Sequence, residues 1–382
     1  MDDKTKRPRR TTQVVTLRNH MDVNSYDMKY DILSMNVEEL QNLMSELKEP
    51  AYRATQIFEW LHTKRFDCSS ILPFNDMKNL PKTLRTTLDE RCKISTCKVK
   101  DLLISEQDDT HKYLFSLDDN ITIESVRMKY SFGHSICIST QAGCRMGCRF
   151  CASAEGGLIR NLTPGEMCAQ VYALKLTDEV PNIVLMGCGE PLDNFESTMK
   201  FLELISHPKG AAIGGRHITI STCGLIPEII KLTDSAKLQI NLAISLHGPD
   251  DATRKTLMPI ANRYPLTDLM DACKYYIKST NRRITFEYAL IKGINDSPQK
   301  ADALATLLKG ILCHVNLIPV NENTNGDTRY LPASRQAAKS FLSILENRGI
   351  NATIRRTIGS DVNAACGQLR AKEQNPINLS HQ

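Results

Sequence analysis

Residues 137–151 read CISTQAGCRMGCRFC. Four cysteines stand in this stretch, at Cys137, Cys144, Cys148 and Cys151. The last three form a C-x3-C-x2-C pattern, with an aromatic residue, Phe150, directly before the final cysteine. A tetrahedral zinc site would use all four thiolates, whereas a disulfide framework would pair them. Neither interpretation explains why the first cysteine stands apart from the other three.

With 382 residues, the chain is long for one ordinary domain and suggests a large domain joined to a smaller one. Its hydrophobic content of 41% and charged content of 24% are typical of a globular protein. No apolar run is long enough to cross a membrane. The basic N-terminal stretch also lacks the apolar segment of a secretory signal. We therefore expect a cytoplasmic protein without membrane contact.

The protein has 13 cysteines. In a reducing compartment, cysteines are more often metal ligands, nucleophiles or small buried side chains than static cross-links. We expect the isolated cysteines to be packing or surface residues, because free cysteine is commonly buried. These are Cys68, Cys92, Cys97, Cys168, Cys223, Cys273 and Cys313.

Changes in composition and hydrophobic periodicity divide the chain into five parts. Residues 1–33 are basic and aperiodic, which predicts a disordered extension. Residues 34–92 show helical periodicity and predict a small accessory domain, whose basic positions suit a solvated face and an RNA-facing surface equally well. Residues 93–130 predict a connector of antiparallel strands. Residues 131–372 predict the main domain with a C-terminal loop, and residues 373–382 form a tail.

Short apolar runs alternate with helical stretches in the main domain. The runs are ICIST (136–140), NIVLMG (182–187), HITIST (217–222), INLAISLH (240–247), RITFEYALI (283–291), HVNLIP (314–319) and NATIRR (351–356). This alternation predicts parallel strand–helix units. Six such units make an α/β fold with a partial (β/α)6 barrel. In such folds ligands gather at the carboxyl ends of the strands, which is where the polar motifs of this chain lie.

Three thiolates on one short loop can hold three irons of a [4Fe–4S] cluster. The fourth iron would then be open to a substrate, as is typical of catalytic metal sites. Zinc is the alternative, with a fourth ligand from a distant part of the chain. No second C-x2-C pattern and no H-x3-H pattern is present to supply that ligand. The loop therefore favours an iron–sulfur cluster.

The cluster loop at the end of a first barrel strand resembles that of the radical S-adenosylmethionine (SAM) superfamily. In that family the open iron chelates SAM, and reductive cleavage of SAM releases a 5′-deoxyadenosyl radical. MGCGEP (186–191) matches the glycine-rich turn of the family, which implies that Gly189 and Glu190 bind SAM. Polar groups at the later strand ends complete the implied SAM site. They belong to Ser221, Ser245, Leu246, His247 and Asn321.

Three further motifs narrow the resemblance. IESVRM contains Glu124, CISTQAGC contains Cys137, and DVNAACGQLR (361–370) contains Cys366. Together with the cluster loop and GEP, they resemble the dual-specificity adenine-C2 methyltransferases of 23S rRNA and tRNA, over residues 35–372. The resemblance implies a [4Fe–4S] cluster and SAM as cofactors. It also implies that the three cysteines of the C-x3-C-x2-C pattern are the cluster ligands.

The same resemblance implies a role for each remaining residue. Cys366 would take a methyl group from one SAM, and a radical made from a second SAM would activate that methyl group. The resulting methylene radical would add to the adenine carbon. Glu124 would remove the proton from that carbon, and Cys137 would attack Cys366 to release the product and leave a transient disulfide. This role would explain a cysteine outside the cluster pattern.

Several motifs bear on which adenine carbon a member of this family would methylate. The related chloramphenicol–florfenicol resistance enzymes methylate C8 of the same ribosomal adenosine. QAGC (141–144) and GEP (189–191) favour the C2 group, whereas SVRMKY and GHSICIST resemble the C8 branch. Met186 matches a methionine that the family keeps near the radical, and Cys188 departs from the methionine of many relatives.

Expected partners are 23S rRNA, tRNA and an electron donor such as flavodoxin or ferredoxin, and we expect a monomer. Two other function classes stay open. A non-catalytic RNA-binding protein would use Cys137 as the fourth ligand of an iron–sulfur or zinc site. A radical SAM enzyme with another substrate would keep the cluster and SAM and would not need Cys366.

Overall fold

The computed structural model describes residues 29–63, 74–174, 180–235, 239–320 and 330–355, together with Gly359, Asp361 and Val362. Five predictions fall outside the described residues: residues 1–28 of the N-terminal extension, the isolated Cys68, Asn321 of the SAM site, the methyl-carrying Cys366, and the tail from residue 373.

A ten-stranded mixed sheet forms the centre of the described protein, with two separate pairs of short strands. In chain order the strands are β1 (Tyr30–Asp31), β2 (Cys92–Lys93), β3 (Lys98–Ile104), β4 (His111–Ser116), β5 (Thr122–Tyr130), β6 (Gly133–Cys137), β7 (Gln141–Gly143), β8 (Leu158–Asn161), β9 (Asn182–Leu185), β10 (Ile218–Thr222), β11 (Asn241–Ser245), β12 (Ile284–Leu290), β13 (Cys313–Pro319) and β14 (Ala352–Ile354). The central sheet runs β14-β13-β12-β11-β10-β9-β6-β5-β4-β3. Neighbours from β14 to β6 pair in parallel, and neighbours from β6 to β3 pair antiparallel.

Ten α-helices accompany these strands in the described part of the chain. They are α1 (Val37–Glu46), α2 (Tyr52–Thr63), α3 (Lys82–Arg91), α4 (Pro164–Leu174), α5 (Phe195–Ser206), α6 (Ile226–Ser235), α7 (Asp251–Leu257), α8 (Leu266–Thr280), α9 (Pro298–Leu308) and α10 (Arg335–Asn347). Local chemistry sets their ends: Ser297 and Ser334 cap helix N-termini, and left-handed Asn281 ends α8. None of these described helices combines the length and apolar character needed to cross a membrane.

The predicted α/β fold with a partial barrel is confirmed. Each of β6, β9, β10, β11, β12 and β13 is followed by at least one helix before the next parallel strand begins. The strands are buried because these helices cover them; Ile220, Leu242, Phe286 and Val315 are fully buried. The sequence pattern therefore predicted the six strand–helix units, and β14 adds a seventh parallel strand.

The accessory domain contains α1, α2 and α3, as the periodicity predicts. Its beginning corrects only the end of the predicted extension (residues 1–33), because residues 30–33 belong to this domain, whereas residues 1–28 lie outside the described residues. Tyr30 and Asp31 pair with Cys92 and Lys93, and the next two residues, Ile32 and Leu33, are buried. A two-residue strand is too short to show periodicity, so its pairing is visible only in three dimensions.

Aromatic packing joins the accessory domain to the barrel. Phe58 is fully buried, and its ring lies 4.3 Å from the ring of His62 and 4.6 Å from that of His207. His62 Nδ1 lies 2.6 Å from the Tyr172 hydroxyl on α4. Burial lowers the pKa of His62 to about 3, so the imidazole is neutral at this interface near pH 7.

We expect Phe58→Ala to lower the free energy of unfolding by about 3–5 kcal/mol, because it leaves a cavity between the accessory domain and the barrel. Equilibrium unfolding in urea measures this loss. Tyr52→Ala is the matched control, since Tyr52 is 56% exposed on the same helix and its loss should cost less than about 1 kcal/mol. Equal losses for the two variants would contradict the packing argument.

Candidate active site

A cavity of about 160 Å³ lies at the carboxyl ends of the parallel strands. Eight predicted site residues line it, namely Cys144, Cys148, Cys151, Gly189, Glu190, Ser221, Ser245 and His247. Met186, which matches a methionine of the family resemblance, lines it as well. The fold thus brings residues from four separate loops to one place, as expected for the strand ends of a parallel sheet.

Backbone hydrogen bonds hold the cluster loop over these strand ends. The Cys144 amide donates to the Gly157 carbonyl at 2.9 Å, beside the β7–β8 pair. The Arg149 amide donates to the carbonyl of Leu257, the last residue of α7, also at 2.9 Å. The loop is therefore fixed on both sides, and its three thiols face a common cavity.

Phe150, the aromatic residue of the cluster motif, packs edge-on against His247. The two ring centroids lie 4.9 Å apart at an interplanar angle of 83°. His247 Nδ1 accepts from the Ala289 amide at 2.9 Å. Burial, with the nearby charge of Arg254, lowers the pKa of His247 to about 3. The imidazole is therefore neutral, and its Nε2 carries the proton and can donate to a ligand.

Burial raises the pKa of two thiols of the cluster loop. It raises the pKa of Cys144 to about 12, and repulsion from Cys151 and Glu190 adds to the effect. The same causes raise the pKa of Cys148 further. All three thiols are needed as thiolates by iron, so binding of a cluster must displace protons from this cavity.

The donor set of the cavity fits an iron–sulfur cluster. Three soft sulfur donors stand on one loop, with apolar side chains such as Met146 and Phe150 around them. Within the described ranges, no three His, Cys, Asp or Glu side chains are grouped closely enough to hold a single metal ion. In a cubane cluster each thiolate binds a different iron, so the ligands do not need to converge on one point.

The two glycines of MGCGEP lie in close contact with the chain that follows β6. A Cβ on Gly187 would lie 2.6 Å from the Ile138 carbonyl oxygen, and one on Gly189 would lie 2.6 Å from Gln141 Cβ. Gly189 also has a left-handed φ of +108°. These glycines therefore let the turn pack against the chain that leaves β6.

Glu190 is a buried carboxylate held by backbone donors. Its Oε1 accepts from the Leu192 amide at 3.1 Å, and its Oε2 accepts from the Cys223 amide at 2.8 Å. Its own amide donates to Gln141 Oε1 at 2.8 Å. Burial raises the pKa of Glu190 in spite of these donors. A bound ammonium would favour the ionised form, which makes this carboxylate suitable for the amino group of SAM.

The remaining predicted SAM residues divide into two kinds. Ser221 and Ser245 are half-buried and line the cavity. Leu246 is fully buried, and its carbonyl accepts from Arg254 Nη1 at 2.6 Å. Arg254 is only 1% exposed and also donates to the Cys223 carbonyl at 3.3 Å. The buried guanidinium of Arg254 therefore fixes the backbone of Leu246, so any contribution of Leu246 to a SAM site would come from its backbone.

Sequence reasoning missed three residues of the site. Arg254 gave no signal, because an arginine in a polar helix is normally a surface residue. Cys223 was expected to be a packing residue, yet it lines the cavity. Glu287 also lines the cavity, is 4% exposed, and accepts from Asn316 Nδ2 at 3.0 Å. A carboxylate inside the apolar run TFEYAL was the signal that could have found Glu287.

Glu124 and Cys137 lie beside the cluster cavity, on one face of the antiparallel strands. Cys137 is directly opposite Val126 in the β5–β6 ladder and packs with Val126 and Met128. Met186, which lines the cluster cavity, packs against the same cluster. Glu124 is two residues before Val126, so its side chain points to the same face. It lines a second cavity of about 140 Å³.

The chain that leads to Cys366 is anchored on this face. Asp361 accepts from Ser105 Oγ at 2.8 Å and from the Glu106 amide at 2.9 Å. Val362 packs against the side chains around Cys137. In the sequence, Cys366 follows Val362 by four residues.

Comparisons with known proteins agree with this geometry. The radical SAM superfamily model matches residues 138–305, and the ribosomal RNA large subunit methyltransferase N-terminal domain model matches residues 30–94. A probable dual-specificity RNA methyltransferase RlmN from Clostridium botulinum (strain Hall) is 51% identical over 342 residues, which cover 89% of this chain and 98% of that protein. The chain belongs to this RNA methyltransferase family. A namesake from Clostridium perfringens (strain 13) is 50% identical, with 89% and 96% covered.

A solved structure of a similar protein has the same fold. The crystal structure of a radical SAM methyltransferase from Sphaerobacter thermophilus is 41% identical and gives a TM-score of 0.83. The match covers 90% of this chain and 100% of that one. The prediction of a SAM-dependent RNA methyltransferase of the radical type is confirmed at the level of the family. The N-terminal match begins at residue 30, the first residue of β1.

We expect Gly189→Ala to weaken SAM binding at least about tenfold, because the new Cβ would displace Gln141 and the turn that carries Glu190. Equilibrium dialysis of the cluster-loaded protein measures the dissociation constant. Gly293→Ala is the matched control, since Gly293 also has a positive φ and has open space around its Cβ position. A similar loss in both variants would assign the effect to backbone strain and contradict the clash.

Proposed function

We propose that this enzyme methylates C2 of a specific adenosine in 23S rRNA and C2 of an adenosine in the tRNA anticodon loop, through a methylated Cys366. The observation that carries the proposal is the common face of β5 and β6. This face holds Glu124 and Cys137, and Val362, which leads to Cys366, packs on it. The named relatives are dual-specificity RNA methyltransferases, and QAGC and GEP favour C2.

In this proposal Cys144, Cys148 and Cys151 hold the cluster, and Glu190 and His247 bind SAM in the cavity beside them. Cys366 begins the reaction: its thiolate forms a bond to the methyl group of one SAM, and S-adenosylhomocysteine leaves. A bound cluster would supply the one electron that cleaves a second SAM into methionine and a 5′-deoxyadenosyl radical, and would accept the one electron that the RNA adduct later loses. The methyl group on Cys366 would lose a hydrogen atom to that radical, which gives 5′-deoxyadenosine and a carbon-centred methylene radical attached to the Cys366 sulfur.

The methylene radical adds to adenine C2 and joins the enzyme to RNA through a carbon–carbon bond. Glu124 accepts the C2 proton, and with the loss of one electron the adduct becomes a closed-shell thioether. Adduct formation acidifies this C–H bond, which makes a carboxylate a suitable base. A radical is needed because C2 is electron-poor and does not attack a methyl cation equivalent.

Cys137 then releases the product. Its thiolate attacks the Cys366 sulfur, so that an S–S bond forms and the S–CH2 bond breaks. The methylene carbon keeps the electron pair and takes up a proton to become the methyl group. The disulfide between Cys137 and Cys366 must be reduced by two electrons from a thiol reductant before the next turnover.

The proposal also includes an electron donor and a contact between the accessory domain and the substrate RNA. An electron donor such as flavodoxin or ferredoxin reduces the cluster. The accessory domain contacts the RNA. This is supported by the exposed Lys78, which lies between its second and third helices, by the exposed Lys82, which begins the third helix, and by the match to the methyltransferase N-terminal domain.

We expect the reconstituted enzyme, with SAM and a reductant under anaerobic conditions, to convert unmodified 23S rRNA into a product that contains 2-methyladenosine. Mass spectrometry of the digested RNA, against 2-methyl- and 8-methyladenosine standards, identifies it. Cys366→Ala should abolish the product, because the carrier sulfur is lost. An 8-methyl product would overturn the C2 assignment, and full activity of Cys366→Ala would overturn the carrier mechanism.

We expect Cys137→Ala to accumulate RNA covalently bound to protein, because the adduct forms and cannot be released. Denaturing gel electrophoresis of labelled RNA shows the shifted species. Cys92→Ala is the matched control, since Cys92 is a buried cysteine on β2 of the accessory domain. Normal turnover without adduct in Cys137→Ala would show that another group releases the product.

A further inference from the structure

We propose that Lys112 is a positioning residue for Glu124: its ammonium keeps the buried carboxylate ionised and holds it in place to accept the C2 proton. The inference rests on the proposed function, because it assigns Lys112 to the base of that reaction. No sequence motif pointed to Lys112. It stands in the ordinary strand HKYLFS, and its relation to Glu124 exists only through the pairing of β4 with β5.

The two side chains form an ion pair across neighbouring strands. Lys112 Nζ lies 3.1 Å from Glu124 Oε1. In the ladder, Lys112 is opposite Val126 and Leu114 is opposite Glu124, so the charged residues are diagonal neighbours on one face. Both line the cavity of about 140 Å³ described above. The ammonium therefore lies close enough to the carboxylate to influence whether the carboxylate holds a proton.

The burial of this pair is unusual. Exposed fractions are 6% for the Lys112 side chain and 3% for that of Glu124. Lysine and glutamate are almost never buried to this extent unless they are paired. A buried ion pair is a weak source of stability, because desolvation offsets the attraction and apolar residues of similar volume often do as well. A purely structural role therefore gives little reason to keep both charges beside a cavity.

Other groups around Glu124 act in the opposite direction to Lys112. Asp101 and Asp361 line the same cavity. Cys137 lies on the neighbouring strand, and the Cys188 thiol is close enough to interact electrostatically with the Glu124 carboxylate. The two aspartates and any thiolate would disfavour a second negative charge at Glu124, as does burial itself. Without the ammonium, burial and these negative groups would therefore favour the protonated form of Glu124, which cannot serve as a base.

The experiment follows the decay of the covalent RNA adduct in a single turnover of the cluster-loaded enzyme, across about pH 6.5 to 9. We expect Lys112→Met to slow the decay at least about tenfold at pH 7 and to recover most of the rate toward pH 9, because Glu124 then ionises without help. Lys112→Gln provides a second uncharged variant if Lys112→Met folds poorly. Lys112→Arg should restore most of the rate at pH 7, since it keeps the positive charge.

Two further variants make the result specific. Glu124→Gln should slow the decay at every pH, because the base itself is lost. Lys200→Met is the matched control: it breaks an ion pair of 2.8 Å with Glu39, between α5 and the accessory domain, and should leave the pH profile unchanged. Iron content and melting temperature are measured for each variant, so that a folding defect is recognised.

Three outcomes would overturn the inference. A wild-type profile in Lys112→Met would show that the ammonium does not act on Glu124. A loss that is independent of pH, and that Lys112→Arg does not rescue, would mean that the lysine only packs. Wild-type decay in Glu124→Gln would remove the proposed base itself. That last result is a failure of the proposed function, and it is distinguishable because it does not depend on any Lys112 variant.

Discussion

The parallel pairing of β6 with β9 is the constraint on which the site depends. β6 is the one strand of the central sheet, within the described residues, that pairs antiparallel with β5 and parallel with β9. After this junction the Ile138 amide donates to the Val184 carbonyl, and the Gly187 amide donates to the Ile138 carbonyl. The meander with Glu124 is thereby fixed to the barrel with the cluster loop. A change of register at this junction would separate the two halves of the chemistry.

A buried polar network reinforces the same junction. Ser139 Oγ donates to the Glu124 carbonyl at 2.7 Å and accepts from the Cys188 amide at 2.9 Å. Gln170 on α4 donates to the Ser139 carbonyl, and its Oε1 accepts from the Ser139 amide and from Ser125 Oγ. Ser139 and Gln170 are fully buried. Because these polar groups are satisfied by one another, they fix the strand of the proposed base against the SAM turn.

Sequence alone could predict those parts of the site that depend on chain order. Apolar runs marked the strands, and the polar residues after each run marked the strand ends, which is why Ser221 and His247 were found. Contacts between distant elements could not be predicted in this way. The Lys112–Glu124 pair and the burial of Arg254 both contradict the usual exposure of charged residues. The glycines of MGCGEP were identified from the sequence, but their close contacts, of Gly187 with Ile138 and of Gly189 with Gln141, depend on how the chain folds back.

The position of Cys137 follows from the course of the chain. β6 ends at this residue, and the chain must still form β7 before it reaches the cluster loop, which accounts for the six residues between Cys137 and Cys144. The two kinds of cysteine also have different surroundings. Cys144 lies in a cavity with Glu190, whereas Cys137 packs against Val126 and Met128 on the sheet face that holds Glu124. One thiol environment suits a metal cluster and the other suits attack on a neighbouring sulfur, so the same residue type can serve both parts of a single reaction.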